Sequence, residues 1–170
     1  MQIIKYHYHN VVETDFLLMG QVVSPHLIPR LKKIVISNGG SNGTDNYILS
    51  SLFILDYIGN QKPVILCKKN NLVGGGKVTL RKSMMFLFLF KLLAEILPYI
   101  KSFEGFKPPL HVNTFMFQLK DIFLFKGLTT MFPYLDNSAC FIKIQVFTTS
   151  KTPPQLFQLG RSLVFCFPNL

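Results

Sequence analysis

The sequence predicts an α+β domain with helices on one face of a mainly antiparallel sheet. Three observations carry this. Strand-like and helix-like segments follow in the order β, α, β-hairpin, α, β, β, α, a pattern that suits helices gathered on one side of a sheet. From Lys77 to Arg81 polar and apolar residues alternate, the period of a strand with one buried face. From Met85 to Leu97 apolar residues recur three and four apart, the period of a helix.

The elements follow in order. Residues 1–27 read as an N-terminal extension holding a short helix, with Pro25 and Pro29 bracketing entry to the first strand. Lys33–Ser37 is that strand, its β-branched residues suiting a pleated sheet. Asn38-Gly-Gly-Ser-Asn-Gly43 is a loop of turn formers. Thr44 or Asp45 can cap a helix that Gly59 closes, with Ile48, Leu49, Leu52, Phe53 and Leu55 as its apolar stripe. Val64–Lys69 and Lys77–Lys82 make a hairpin around Gly74, Gly75 and Gly76. Ser83 can cap the next helix, whose stripe is Met85, Phe88, Leu89, Leu92, Leu93, Ile96 and Leu97, with Pro98 limiting its continuation. Phe86, Leu87 and Phe90 make its other face apolar too, to be covered by a neighbouring segment or by another subunit. Phe103–Leu110 is a connection, and Thr114–Leu119 and the alternation of Ile142, Ile144 and Val146 give two more strands. Thr152-Pro153-Pro154 starts the last helix, with Leu156, Leu159, Gly160 and Leu163 on its buried stripe.

At 170 residues, 49% hydrophobic with 17 Phe, the chain can bury a substantial core as one domain, here residues 28–170. Its net charge of +10 is concentrated. Residues 30–82 hold nine basic residues against two acids, a balance of +7, and the remainder holds nine against six, +3. Such a stretch is the electrostatic footprint of a phosphate-backbone binder. In the second strand of the hairpin Lys77, Thr79 and Arg81 share one face while Val78 and Leu80 share the other. One side can pack on a core while the other offers two cations and a hydroxyl to a polyanion.

Other chemistries find no anchor. Gly74-Gly-Gly-Lys77 lacks the hydroxyl residue and the following helix that a phosphate-binding loop requires. Cys67, Cys140 and Cys166 are odd in number and far apart, without C-x-x-C, so neither a disulfide framework nor a zinc site is indicated. His7 and His9 lack partners at ligand spacing. Asn42-Gly-Thr44 fits a glycosylation sequon, but nothing points to secretion. No nucleophile–base signature is present, and neither is the aromatic motif of the common RNA-recognition sheet. Met84–Ile100, interrupted by Lys91, Glu95 and Pro98, falls short of the roughly 20 apolar residues of a membrane span. The reading from the residues is a nucleic-acid-binding sheet with no enzyme activity and no cofactor. The alternative from another class is a basic membrane-peripheral protein anchored through helix 84–97, whose polar face would carry only Lys91 and Glu95.

A family resemblance runs through these motifs over roughly residues 28–168. Ile28-Pro-Arg-Leu-Lys-Lys-Ile-Val-Ile-Ser-Asn38-Gly39, Gly59-Asn-Gln-Lys-Pro-Val64 and Lys77-Val-Thr-Leu-Arg81 resemble the V-P-R-L-x-K-I-V-I-N-x-G, T-G-Q-K-P-V and K-V-T-L-R of one family. That family is the bacterial-type, 5S-rRNA-binding, universal large-subunit ribosomal protein number five. Met85-Phe86, Phe88-Leu89, Lys91-Leu92, Leu97-Pro98 and Phe103-Glu-Gly105 keep its register, and Thr148-Thr149-Ser150-Lys151-Thr152 resembles its T-T-A-K-T. Tyr6-His-Tyr-His and Asp15-Phe-Leu-Leu18 resemble the starts of mitochondrion-encoded members. With no secretory signal and no Arg- and Ser-rich presequence at Met1–Asn10, the expected location is the mitochondrial matrix and its ribosome, with synthesis inside the organelle. Absent Trp and heavy Phe usage resemble the bias of an AT-rich organellar genome.

The resemblance implies a twisted antiparallel sheet with helices on one side. It implies binding to 5S rRNA or large-subunit rRNA in the central protuberance. Neighbouring large-subunit proteins and a small-subunit head protein across an intersubunit bridge would be further partners, with no membrane. The expected RNA-binding residues are Arg30, Lys32, Asn38, Gln61, Lys62, Lys68, Lys69, Lys77, Thr79 and Arg81. Lys and Arg would neutralise phosphates, and Asn38, Gln61 and Thr79 would bond phosphate or ribose hydroxyls. Two departures stand out. Only residues 64–76 separate Pro63 from Lys77, where the family carries a longer basic loop that approaches the peptidyl-site tRNA; the shortening puts that contact in doubt. Leu119–Phe125 keeps a strand but not the family's usual ending, so the bridge surface near it is expected to have diverged.

Overall fold

The computed structural model describes residues 3–18, 24–39, 45–67, 73–100, 113–135, 141–163 and Phe165. Strands β1 (Leu31–Gly39), β2 (Val64–Cys67), β3 (Val73–Leu80), β4 (Thr114–Leu119) and β5 (Ile142–Thr148) form one sheet in the order β2-β3-β1-β5-β4. β3 is antiparallel to both of its neighbours. With helices α1 (Ile3–His7), α2 (Glu13–Leu18), α3 (Asp45–Gly59), α4 (Lys82–Phe90) and α5 (Pro153–Ser162), the fold is of the expected α+β class. The chain divides into two compact units, one of residues 1–33, 82–115 and 146–170, the other of residues 34–81 and 116–145.

The first unit is built on helices. α1, a π-helical turn at Tyr8–Val12 and α2 follow one another without a break, burying Tyr8, Val12 and Phe16 at four-residue intervals. The Tyr8 ring lies 5.6 Å from that of Phe86, so part of the second apolar face of α4 is covered within the chain. α4 runs into a π-helical turn, Lys91–Ile96, and a 3₁₀ turn, Leu97–Tyr99, that contains Pro98. Met85, Phe88, Leu89, Leu92, Ile96 and Leu97 are buried as their spacing demands, whereas Leu93 is only partly so. The i→i+5 winding of the π turn displaces it from the stripe that α-helical spacing predicts. The helix starts at Lys82, in the left-handed region with φ 50°, one residue before the expected Ser83 cap. Before α5, Thr152 is extended and its hydroxyl makes no capping bond. The start of α5 is tied instead by Lys151 N–H donating to Gln155 Oε1 at 3.3 Å and Leu156 N–H to the Thr152 carbonyl at 3.2 Å. Leu156, Leu159, Gly160 and Leu163 are buried as expected.

The second unit lays α3 on β3. The face that α3 buries runs through Tyr47, Ser50, Ser51, Ile54, Leu55, Ile58 and Gly59. This corrects the expected stripe: Leu49 and Phe53 point to solvent, and Leu55 alone of the five expected residues is fully buried. The strand decides the helix's orientation. A Cβ on Gly76 would stand 2.8 Å from Leu52 Cδ2 and 2.9 Å from Leu55 Cδ1, and one on Gly59 would stand 2.8 Å from Val78 Cγ1. Glycine on both elements lets the helix approach the sheet until its own backbone is covered.

The hairpin also differs from expectation. Gly74, Gly75 and Gly76 lie inside β3, not in a turn, and residues 68–72 lie outside the described residues. The pairing of β2 with β3 slips between Ile65 and Cys67, as a β-bulge does. Gly75 has φ 126°, and a Cβ there would collide with the Asn38 carbonyl oxygen. The glycines thus serve close packing and an irregular strand, both invisible to a turn-residue rule. β4 ends at Leu119, and Leu119–Phe125 does not continue the strand. Ile122–Leu124 forms a 3₁₀ turn whose first N–H groups are met when Asp121 Oδ1 accepts from Phe123 N–H at 2.9 Å.

Candidate nucleic-acid interface

In the second unit the period-two pattern of β3 becomes two faces. Val78 and Leu80 are buried; Lys77 is exposed and Thr79 partly so. Register extends the outer face to the neighbours. Ser37 of β1 pairs with Lys77, Val35 with Thr79, and Val64 of β2 with Lys77 on its other side. Directly paired residues of adjacent strands point to the same face. One row therefore runs Ser37, Lys77, Val64 and the next runs Val35, Thr79. A cation and two hydroxyls are held on stiff backbone, beside aliphatic groups that leave room for ribose. α3 occupies the opposite side of β3, which keeps this face open.

The remaining expected residues fall into place unequally. β3 ends at Leu80, and the exposed Arg81 follows it directly. Gln61, partly buried, and Lys62, exposed, lie in the link between α3 and β2. Asn38 does not reach the open face. Its side chain is fully buried, with Oδ1 accepting a hydrogen bond from the Tyr47 hydroxyl at 2.8 Å. Its position in β1 has the parity of Ile34 and Ile36, both buried, so strand geometry sends it inward. The expectation that it bonds RNA is corrected to a role inside the unit, joining β1 to α3. Lys68 and Lys69 lie outside the described residues.

In the first unit Arg30 and Lys32 are exposed. The Arg30 backbone is fixed from both sides: its N–H donates to Thr149 Oγ1 at 2.8 Å, and its carbonyl accepts from Thr149 N–H at 2.9 Å. Its Nε lies 3.6 Å from Glu13 Oε1. With Arg30 exposed and Glu13 half-buried, the pair is long and shared with His9, so a phosphate could compete with the carboxylate for the guanidinium. Lys33 places its ammonium 4.7 Å from the centre of the Phe147 ring. Ser37 and Val64 were missed as members of the Lys77 row. The alternation of β1 contained the signal for Ser37; Val64 required the register.

The fold and this face define a class: a small basic α+β protein with an open, cation-bearing sheet face. No protein-family model matches the chain. Three relatives show what it is similar to. It is 28% identical over 166 residues to the large ribosomal subunit protein uL5m of Reclinomonas americana, covering 89% of this chain and 90% of that one. It is 37% identical over 116 residues to large ribosomal subunit protein uL5 of Campylobacter hominis and 36% identical over 113 residues to that of Helicobacter pylori (strain P12). Those two matches cover 62% and 60% of this chain, and 64% and 62% of the bacterial proteins. The chain is thus similar to uL5 proteins of the large ribosomal subunit, one mitochondrial and two bacterial.

Proposed function

We propose that the chain is a structural constituent of the mitochondrial large ribosomal subunit, with no catalytic role. It binds 5S rRNA or central-protuberance rRNA and helps form the contact with the small-subunit head. The observation that carries the RNA-binding reading is the row Ser37, Lys77, Val64 beside Val35 and Thr79, open on one side of β3 and backed by α3 on the other. RNA contacts fall to Lys77, Thr79, Arg81, Gln61 and Lys62 in the second unit and to Arg30 and Lys32 in the first, with Lys68 and Lys69 between β2 and β3. Such a surface meets backbone phosphates and 2′-hydroxyls and recognises folded RNA by shape. The membrane-peripheral alternative needs a broad outward apolar face on helix 84–97, yet Phe86 packs on Tyr8, Leu87 is half-buried, and of that face Phe90 alone is exposed. No helix among the described residues is long and apolar enough to cross a membrane.

The test is ultraviolet crosslinking in intact mitochondria followed by sequencing of the attached RNA. Crosslinks from residues 62–81 to 5S rRNA or central-protuberance rRNA are the expected result. Recovery of lipid or membrane protein without rRNA would overturn the reading.

A further inference from the structure

The solvent face of α3 is unlike the rest of this basic chain. α3 carries Asp45 and Asp56 and not one of the chain's 18 lysines and arginines. Three large side chains one turn apart are exposed along it: Leu49 at 66%, Phe53 at 44% and Tyr57 at 37%. At 3.6 residues per turn, Asp45 and Asp56 line one border of the Leu49–Phe53 stripe, and Asn46 and Tyr57 line the other. The Tyr57 border is anchored within the unit, its hydroxyl donating to the Lys126 carbonyl at 2.7 Å.

Asp56 is the informative residue. It lies in the last turn of α3, where the negative end of the helix dipole disfavours a carboxylate. Asp45, in the first turn, is explained by that dipole alone; Asp56 is not. Among the described residues neither aspartate has a basic group within salt-bridge distance. A carboxylate at the wrong pole, with no basic partner among the described residues and beside exposed Leu49 and Phe53, offers its charge to the cation of a partner.

We propose that this face of α3 docks a basic amphipathic segment of another protein. Its apolar side chains would cover Leu49 and Phe53 while a lysine or arginine pairs with Asp56. Charge selects that occupant. RNA and anionic lipid would bring like charge against both carboxylates, and a second copy of this face would oppose acid to acid. The second unit is then two-sided, with Lys77 and Thr79 on the sheet for a polyanion and an acidic, apolar helix face behind them for a basic protein. The inference rests on the proposed function only for where the partner is sought.

Isolated mitochondrial large subunits are treated with a carbodiimide, which joins a carboxylate to a lysine in direct contact, and the linked peptides are identified by mass spectrometry. Asp56 should be joined to a lysine of a different protein, in a segment with apolar residues at helical spacing. The corresponding synthetic peptide should bind the purified full chain. Phe53→Ser and Asp56→Lys should each weaken that binding about tenfold or more without shifting the thermal unfolding of a surface site. Asp56 linked to nothing, to this chain alone or to a second copy overturns the inference, as do crosslinks from residues 45–57 to RNA or unchanged peptide affinity in both variants. If the chain is present in the particle and linked to rRNA through residues 62–81, such a failure leaves the proposed function standing. Absence of the chain from the particle overturns both.

Discussion

The Tyr47 hydroxyl donates a hydrogen bond to Asn38 Oδ1 at 2.8 Å, with both side chains buried. It joins the first turn of α3 to the end of β1, the two elements that back and border the candidate RNA face. Removing the donor costs the buried amide oxygen this hydrogen bond, about 0.5–1.5 kcal/mol. Tyr47→Phe should therefore lower stability by that amount in chemical denaturation. In the folded variant the salt dependence of RNA binding should stay that of the unaltered chain, since no cation is lost. A loss of RNA affinity in the folded variant at unchanged salt slope would return Asn38 to the RNA face.

The glycines of β3 should differ in cost according to what each one faces. Gly75 has a positive φ and looks onto the Asn38 carbonyl, which is backbone and cannot yield. Gly76 looks onto Leu52 Cδ2 and Leu55 Cδ1, the movable ends of side chains. Gly75→Ala should destabilise by about 2–4 kcal/mol, and Gly76→Ala by clearly less. Thermal unfolding of the two variants ranks them directly; the reverse order would mean that α3 packing, not strand conformation, is the stricter constraint.

These residues also mark how far the sequence could be read. The two faces of β3 were legible because alternation is a local property, and Val78 and Leu80 are buried where it puts them. The buried stripe of α4 was legible for the same reason, until the π turn moved Leu93. α3 was not. It is apolar nearly all round, and its orientation follows from Gly59 and Gly76 forming a close contact with β3 and Leu52, a tertiary choice that periodicity does not contain. Asn38 was misplaced because its residue type suited RNA while its strand parity, readable in Ile34 and Ile36, pointed inward. The row Ser37, Lys77, Val64 depends on register, and a bulge in the β2–β3 pair shifts register without leaving a plain mark in the sequence.

The open face makes a quantitative prediction. Each lysine or arginine that meets a phosphate releases a counterion. Lys77→Ala with Arg81→Ala should weaken RNA binding and reduce the slope of log K against log salt by about 1 for each cation removed. Filter binding over a salt series measures it. Leu80→Lys is the matching control on the other face. It puts an unpaired charge at a position 1% exposed and should unfold the unit outright. A double alanine variant with the original slope would remove Lys77 and Arg81 from the interface.

Tyr8 makes a pH prediction in the first unit. Its hydroxyl lies 3.5 Å from the Pro29 carbonyl, to which it donates, and accepts from Leu31 N–H at 3.3 Å. Burial pushes its pKa from the ordinary 10.0 up to about 12, against the lowering effect of the Leu31 bond. The folded chain thus holds this proton more tightly than the unfolded chain does. The resulting stability is fully present below about pH 10 and is lost as pH rises from there through about 12. Two pKa units correspond to about 2.7 kcal/mol, an upper figure for the loss. Absorbance titration of the tyrosinate should show one of the six tyrosines ionising last, together with unfolding. In Tyr8→Phe that late step should vanish and the alkaline loss of stability should shrink. A variant that keeps both would show that another buried group governs the alkaline limit.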